Sequence, residues 1–263
     1  MSQFVKGHKA SNTKSLNKTL AILSSFDETS PMQRTSDIAA KLDMNISTVS
    51  RHLNTMLDWG FLEREDATGY YYPGIEIVAL AGRSMQSNDV YRHAFPEVHR
   101  LSHKYDVCAH MAVPKKGEVI HQICSCGESA MELLIPMGHR HPMHCSAMGR
   151  VFLAYLPPIK AQEVLKSKEL QKYTIGTKID VSEINQELIR TRKRGYCTLI
   201  NELALGTGSL AAPVFNRNRE PIAAVSISTS AYNLRQPQRE QVLAKAVTAA
   251  ASRISSKLGY YPK

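Results

Sequence analysis

The chain has 263 residues, of which 43% are hydrophobic and 21% are charged, a composition typical of a globular protein with one large or two modest domains. Its apolar runs fall far short of the roughly 20 residues that a membrane-spanning helix needs, and residues 1–16 lack the apolar core of a signal peptide. For that reason we expect no membrane partner. Five cysteines are an odd number in a chain without a secretion signal, which favours reduced thiols in a cytoplasm over a disulfide framework.

The net charge of +10 favours anionic partners but does not locate a binding surface. Residues 1–75 contain eight lysines and arginines and eight aspartates and glutamates, so this segment is neutral. The positive excess therefore lies beyond residue 75, and bulk charge does not identify a DNA-binding face.

The first third of the chain predicts two short helices before residue 43. After a cap at Ser15, apolar residues recur at helical spacing and are expected to face inward: Leu16, Leu20 and Leu23. The segment TSDIAAKLDM predicts a second helix, capped by Thr35 or Ser36.

The segment NISTVSRHLNTMLDWG predicts a third helix, which is capped by Ser47 and ends at Gly60. Its apolar stripe leaves small polar and basic side chains on the opposite face: Thr48, Arg51, His52 and Thr55, with Ser50 at the edge. A helix, a tight turn and a second helix with such an outer face form a helix-turn-helix, whose second helix enters the major groove of DNA.

Two short strands, FLERE and YYYPG, follow around a turn that contains Gly69 and predict the wing of a winged helix-turn-helix. Three acidic side chains in the wing disfavour phosphate contact there, so Arg64, Lys14 and Lys18 are the expected backbone contacts. The alternative is a small helical bundle whose polar faces are merely solvated. The full set of predicted DNA contacts is Thr35, Ser47, Thr48, Ser50, Arg51, His52, Thr55 and Arg64.

Beyond residue 75 the patterns alternate between helix and strand without a regular βαβ order, which predicts an α+β domain around a mainly antiparallel sheet. Helices are expected at 75–87, 89–105, 147–156, 159–170 and 182–194, with a last helix over REQVLAKAVTAAASRISSKLG. The expected strands are VCAHMAV, EVIHQICSC, GSLAAPVFN and PIAAVSIST.

The order of these elements resembles the IclR-type bacterial transcriptional regulators over about residues 15–258. Five segments carry the resemblance: SLNKTLAILSSF, TSDIAAKLDMNISTVSRHLNTMLDWGFL, GHRHPMHCSAMGRVFLAYL, TRKRGYCTLINE and GSLAAPVFNRNREPIAAVSIS. The resemblance implies a winged helix-turn-helix domain at 1–74, a helical linker at 75–88 and a GAF-like α/β effector-binding domain at 89–263. It also implies a homodimer or homotetramer that binds a double-stranded DNA operator and controls catabolic genes, without a cofactor.

The resemblance also places GHRHPMHCSAMGR, a loop that runs into a helix, at the border of an effector pocket. Ser146 or Cys145 would cap that helix, and free amides at a helix start attract carboxylates. Carried over position by position, the expected effector contacts are His144, Cys145, Ala147, Met148, Leu199, Ser209, Ser226 and Ser228. Leu199 stands where family members often have an acidic residue, whereas Glu202 keeps its place.

The hydroxyls of Ser226 and Ser228 alternate along a strand and therefore face one side. Together with amides at a helix start they favour a small carboxylate effector, such as a sugar acid. The alternative is that these serines only satisfy neighbouring backbone groups.

The stretch HRHPMHCSAMG has two further interpretations. Imidazole and thiolate are ligands that zinc prefers, so a metal-responsive regulator would use a set of nearby side chains: His139, His141, His144 and Cys145, with Cys124 and Cys126. A cysteine beside a histidine also suggests a cysteine-dependent enzyme, but adjacent residues of an extended chain point in opposite directions, so His144 is poorly placed to activate Cys145. We expect neither a metal site nor catalytic residues.

Overall fold

The computed structural model describes residues 13–261, so what the sequence predicts for residues 1–12 and 262–263, including the absence of a signal-peptide core, lies outside the described residues. The chain forms two compact units, the first ending at Ser87 and the second beginning at Asn88. Residues of the predicted linker form a helix within the first unit. None of the helices in the described part of the chain is long and apolar enough to cross a membrane.

The first unit contains helices and one hairpin in the order that the sequence predicts. Its elements are α1 (Lys14–Leu23), α2 (Thr35–Leu42), α3 (Ile46–Asp58), β1 (Leu62–Arg64), β2 (Tyr71–Pro73) and α4 (Ile75–Gln86). The strands β1 and β2 pair antiparallel, with Glu63 opposite Tyr72. Gly69 supports the turn between them because its φ of +75° lies in the left-handed region that favours glycine. The winged helix-turn-helix is therefore the fold of this unit.

The core of the first unit differs from the prediction along α1. Leu16 and Leu20 are 53% and 51% exposed, whereas Ile22 is fully buried. Helical spacing correctly groups Leu16 with Leu20 but does not say which face meets the other helices. The face that carries Ile22 packs into the core beside Ile38 of α2.

The caps of α2 and α3 lie one or two residues before the predicted ones. Arg34 precedes α2, and its backbone N–H donates to Oδ2 of Asp37 at 3.0 Å, so Thr35 lies inside the helix. Asn45 caps α3, because its Oδ1 accepts hydrogen bonds from the backbone N–H of Ser47 at 2.9 Å and from its hydroxyl at 2.7 Å. Both predicted caps are therefore wrong, although both helices form.

The second unit is built on a six-stranded sheet in the order β5-β4-β3-β8-β7-β6, in which every neighbouring pair is antiparallel. Its elements are α5 (Asp89–Tyr105), β3 (Cys108–Lys115), β4 (Glu118–Cys126), a 3-10 helix (Glu128–Leu133), β5 (Arg140–Pro142), α6 (Ala147–Tyr155), α7 (Pro158–Lys166), α8 (Val181–Arg194), β6 (Cys197–Ile200), β7 (Thr207–Phe215), β8 (Pro221–Ser230), α9 (Ala231–Arg235) and α10 (Pro237–Lys257). The predicted α+β domain with a mainly antiparallel sheet is confirmed.

Alternation along the strands divides the side chains of the sheet between two helical layers. Met111 and Ile227 belong to the core that the sheet forms with α5 and α10. Ala112, Leu199 and Ala211 belong to the core on the opposite face, which includes most of α6. Strand residues that alternate with the first set therefore face α6, and these include the serines of β7 and β8.

Cys108 and Cys126 form a disulfide, so the expectation of reduced thiols is wrong for this pair. The two residues lie directly opposite each other on β3 and β4. A cysteine count cannot reveal this pairing, because it depends on the register of two strands. Cys124, Cys145 and Cys197 are free thiols.

Candidate functional site

The outer face of α3 carries most of the predicted DNA contacts. Arg51 and Thr55 are exposed, while Thr48 and Ser50 are half-buried. Ser47 is exposed at the start of the helix. The Thr55 hydroxyl donates to the carbonyl oxygen of Arg51 at 3.1 Å, so Thr55 is partly engaged with its own helix. The Arg51 guanidinium makes no ion pair with another residue that the structure describes and is free to meet a partner.

His52 does not belong to this face, and its predicted DNA contact is wrong. Its side chain is buried, and its Nδ1 lies 2.9 Å from the hydroxyl of Thr19 on α1. Burial lowers the pKa of the imidazole. His52 lies three residues after Val49 and four before Met56, and this spacing places it on the buried side of the helix.

The other predicted DNA contacts flank α3. Thr35 is half-buried in the first turn of α2, and Arg64 is exposed at the end of β1. The Arg64 guanidinium lies 5.5 Å from the centre of the Tyr71 ring, which fixes its position on the wing. Glu63 accepts hydrogen bonds from the Tyr72 hydroxyl at 3.1 Å and from the Ile75 N–H at 3.2 Å, so this acidic group serves the wing's own structure.

A small cavity lies on the α6 side of the sheet in the second unit, with a volume of about 40 Å³. Its lining consists of polar side chains from five strands together with residues at the start of α6 and in two loops: His110, His121, Ile135, His141, Ser146, Ala147, Met148, Leu203, Ser209, Ser226 and Ser228.

The predicted effector contacts divide into two groups. Ala147, Met148, Ser209, Ser226 and Ser228 line the cavity. Ser146 does so as well, and it caps α6 as predicted, because its hydroxyl oxygen accepts a hydrogen bond from the Gly149 N–H at 3.2 Å.

The other three predicted effector contacts, His144, Cys145 and Leu199, do not line the cavity. Nε2 of His144 lies 2.9 Å from the carbonyl oxygen of Gln171. Cys145 is buried, and Leu199 packs into the apolar core beside α6.

Four imidazoles lie in contact and are called here the histidine cluster: His110, His121 and His141, which line the cavity, and His139, which contacts the last two. Nε2 of His121 lies 3.0 Å from Nδ1 of His141. The ring centres of His110 and His121 are 5.4 Å apart. In the sequence, His139 and His141 stand out only as potential metal ligands, and His110 and His121 do not stand out at all. The alternation of polar residues in VCAHMAV and EVIHQICSC was a signal, but only the strand register brings these side chains together.

Burial lowers the pKa of His110, His121 and His141 to about 3, and the neighbouring imidazoles act in the same direction. All three rings are therefore neutral at pH 7. Both ring nitrogens of His110 and Nδ1 of His121 are buried and have no hydrogen-bond partner. Buried polar atoms of this kind are rare, because leaving one unpaired costs about 1–3 kcal/mol.

The structure does not bring together the side chains of the alternative metal site. No group of three or more His, Cys, Asp or Glu side chains in residues 13–261 is arranged to hold a metal ion. His144 bonds to Gln171, and Cys126 is in the disulfide. Burial also raises the pKa of Cys145 to about 12, so this thiol is not an activated nucleophile at pH 7.

Arg150 holds the loop before α6 in place and was overlooked in the sequence. Its side chain is fully buried, and its Nε donates to the carbonyl oxygen of His144. Its two terminal nitrogens bind Glu187 at 2.6 Å and Glu202 at 2.9 Å. Burial raises the pKa of Glu202, although the cation beside it opposes the shift. The lone charge in the apolar helix AMGRVFLAYL was the signal for this network.

The two units correspond to two described protein families. Residues 15–66 match the family described as "IclR helix-turn-helix domain", and residues 82–256 match "Bacterial transcriptional regulator IclR C-terminal". The chain is 31% identical over 218 residues to the "Transcriptional repressor IclR" of Escherichia coli (strain K12), an alignment that covers 81% of this chain and 79% of that protein.

Solved structures share the fold of almost the whole chain. An IclR transcriptional regulator from Alicyclobacillus acidocaldarius has a TM-score of 0.87 and 25% identity, covering 95% of this chain and 100% of that chain. An IclR homolog from Microbacterium hydrocarbonoxydans, complexed with 4-hydroxybenzoate, has a TM-score of 0.82 and 25% identity, covering 94% of this chain and 99% of that chain. The fold of both units is therefore shared with proteins that are named as transcriptional regulators or as their homologs.

Proposed function

The chain belongs to the IclR family of bacterial transcriptional regulators and is a DNA-binding regulator rather than an enzyme, and we propose that a small carboxylate controls its binding to an operator upstream of catabolic genes. The cavity on the α6 side of the sheet is the proposed effector site, and the outer face of α3 is the proposed reader of the operator. The observation that carries the proposal is the cavity, which is lined by unpaired imidazole nitrogens, by serine hydroxyls of β7 and β8 and by the start of α6.

Arg51 is the central proposed base contact, with Thr48, Ser50 and Thr55 beside it. Its guanidinium stands on the exposed face of α3, where a recognition helix meets the major groove. Arg64 on the wing, with Lys14 and Lys18 on α1, supplies the proposed phosphate contacts. Because residues 1–75 have no net charge, specific contacts rather than bulk attraction should dominate the affinity of this unit.

The proposed assembly is a homodimer or homotetramer, in which two copies of α3 read symmetric half-sites. Leu16 and Leu20 on α1 are about half exposed, and Ile75 and Val78 on α4 are 66% and 63% exposed. No residue of α4 is buried within the chain. Apolar helix faces of this kind are covered in many proteins by a second copy.

The effector is proposed to be a carboxylate because the cavity offers donors. Hydroxyls of Ser209, Ser226 and Ser228 and the start of α6 converge on it, and helix starts attract anions. The 4-hydroxybenzoate found with the relative from Microbacterium hydrocarbonoxydans also carries a carboxylate. A volume of about 40 Å³ fits an acid with few atoms, so a sugar acid would require the cavity to enlarge.

Fluorescence anisotropy of the full chain against its own upstream DNA and a scrambled duplex, across a salt series, tests the proposal. We expect a preference of at least about a thousandfold for the operator and a shift of that preference with one of a panel of carboxylates. Equal and steeply salt-dependent binding to both duplexes would contradict specific recognition.

Arg51→Ala should weaken operator binding by about 1–3 kcal/mol if the guanidinium makes a bidentate contact to guanine. Arg83→Ala, which removes an exposed arginine of α4, is the matched control and should leave the affinity close to that of the parent chain. An unchanged affinity of the Arg51 variant would remove the assignment of Arg51 as the base contact.

A further inference from the structure

We propose that the cavity binds its carboxylate together with one proton, and that His110 holds this proton as the counter-charge of the bound anion. The inference rests on the proposed function, because it concerns the same cavity and names the chemistry by which an effector would be recognised. It also assigns a role to His110, which lies at the centre of the sheet.

His110 lies on β3, opposite Ser226 of β8 on one side and Cys124 of β4 on the other. Its side chain is fully buried and lines the cavity. Both of its ring nitrogens are unpaired. His121 differs, because its Nε2 is already engaged with His141 at 3.0 Å and only its Nδ1 is unpaired. His110 is therefore the ring with both nitrogens available to a ligand.

The numbers of hydrogen-bond donors and acceptors on the imidazole and the carboxylate explain why a proton should enter with the anion. A neutral imidazole has one donor and one acceptor, whereas an ionised carboxylate has acceptors only. Only one nitrogen of neutral His110 can therefore bind the anion. A protonated His110 offers two donors, so the anion accepts from one while the other can reach a serine oxygen of the lining. A carboxylic acid that donates to the neutral ring gives the same proton count.

Electrostatics leads to the same conclusion. A buried anion without a counter-charge costs several kcal/mol in a real protein, and the lining residues that the structure describes include no Lys, Arg, Asp or Glu. The proton is the charge that the site lacks. An anion beside a buried imidazole raises the pKa of that imidazole, because it favours the charged form.

The groups around His110 do not supply another charge. The titratable groups that face it are imidazoles and a thiol: His121 and Cys124 on β4 and His141 on β5, with His139 behind them against His121. The strands β7 and β8 contribute the hydroxyls of Ser209, Ser226 and Ser228, while the start of α6 contributes Ser146, Ala147 and Met148. Burial keeps His110, His121 and His141 neutral at pH 7 before a ligand enters.

The size of the cavity limits the acid. A volume of about 40 Å³ favours a monocarboxylic acid with few non-hydrogen atoms, and formate, acetate and propionate are the smallest such acids. Gluconate and 4-hydroxybenzoate are larger acids, for which the cavity would have to enlarge.

Isothermal titration calorimetry of the full chain with formate, acetate and propionate tests the inference. Titrations at one pH near 7 in three buffers with different ionisation enthalpies give the number of protons taken up as a slope. We expect close to one proton for at least one of the three acids, and an apparent Kd that rises almost tenfold per pH unit between about pH 6 and about pH 8. Uptake near zero, or no binding of any of the three acids, would overturn the inference.

Two variants locate the proton. His110→Gln keeps a polar side chain that cannot be protonated, and it should abolish proton uptake and weaken binding at least tenfold. Ser226→Ala removes a hydroxyl opposite His110 from the same cavity, so it should weaken binding while proton uptake stays near one. Proton uptake retained by the His110 variant would show that the proton is held elsewhere and would refute the assignment.

If His110→Gln fails to fold, as thermal unfolding would show, the parent chain still decides the question. Nitrogen NMR of its histidine rings should show one imidazole that changes from the neutral to the protonated pattern when acetate is added, and no change would overturn the inference. A neutral compound that releases the operator without proton uptake would refute the inference and leave the regulator intact. If acetate binding takes up a proton but never alters operator binding, the inference about His110 stands and the proposed role of acetate as effector is refuted.

Discussion

Lowering the pH should destabilise the second unit through its buried imidazoles. His110, His121 and His141 have a pKa of about 3 in the folded chain, against about 6.5 in an unfolded chain. Below pH 6.5 the unfolded chain therefore binds protons that the folded chain does not. The stability that these rings contribute is complete above pH 6.5 and is lost as the pH falls towards 3.

The size of the effect follows from the shifts. At about pH 5, a histidine whose pKa falls from about 6.5 to about 3 on folding lowers the free energy of unfolding by about 2 kcal/mol. The contributions of the three rings are not simply additive, because neighbouring imidazoles cause part of each shift. One ring alone already amounts to a sizeable part of the about 5–15 kcal/mol that stabilises a typical domain. We therefore expect partial unfolding well before the carboxylates titrate.

Urea denaturation followed by circular dichroism, at about pH 8 and about pH 5, measures the loss. His110→Gln should reduce the difference between the two pH values by about 2 kcal/mol, because one of the three rings no longer titrates. His103→Gln replaces an exposed imidazole of α5 and should not change the difference. If His110→Gln had the same pH dependence as the parent chain, the assignment of His110 as a buried neutral ring would be wrong.

Three further predictions concern stability and assembly. Arg150→Met should lower the free energy of unfolding by about 3–5 kcal/mol, because Glu202 would stay buried without its cation. The double variant with Glu202→Gln should recover part of this loss. An unchanged denaturation midpoint of the single variant would refute the role of Arg150. Reduction of the Cys108–Cys126 disulfide, which spans 18 residues, should lower the stability by about 3 kcal/mol; denaturation with and without dithiothreitol measures this, and equal curves would contradict it. The double variant Leu16→Glu/Leu20→Glu should reduce the mass found by light scattering to that of a smaller assembly. The control Ile159→Glu, which changes a side chain 74% exposed on α7, should leave the mass unchanged. An unchanged mass of the double variant would exclude α1 from the interface.

Periodicity in the sequence predicts the helices of the first unit but not which of their faces is buried. The spacing of Leu16 and Leu20 defines a real stripe, yet both side chains are half exposed. His52 was assigned to the outer face of α3, although its spacing from Val49 and Met56 fits the inner one. In each case the deciding information is the position of another helix, which a single helical pattern does not contain.

Strand register decided the parts of the second unit that the sequence did not predict. Ser226 and Ser228 could be placed on one face, because alternation along a single strand is enough. His110 and His121 could not be brought together, since they meet only through the pairing of β3 with β4. The disulfide between Cys108 and Cys126 has the same origin. Local pattern therefore predicts single elements well, while contacts between strands depend on a register that no local pattern specifies.

Histidines of the segment HRHPMHCSAMG have two different roles, and these roles suggest how a small ligand in the cavity could change the conformation outside it. His141 lies on β5 and faces the cavity, whereas the carbonyl oxygen of His144 is held by the buried guanidinium of Arg150. At Gly149, an added Cβ would lie 2.3 Å from the Cα of Met143, so the loop and α6 pack without spare room. A ligand changes an equilibrium only if it binds two conformations differently. The Arg150 network leaves the loop before α6 few alternative conformations. We therefore expect that an acid which reorders His110 and the start of α6 moves this loop and the helix together, even if the acid has only a few atoms.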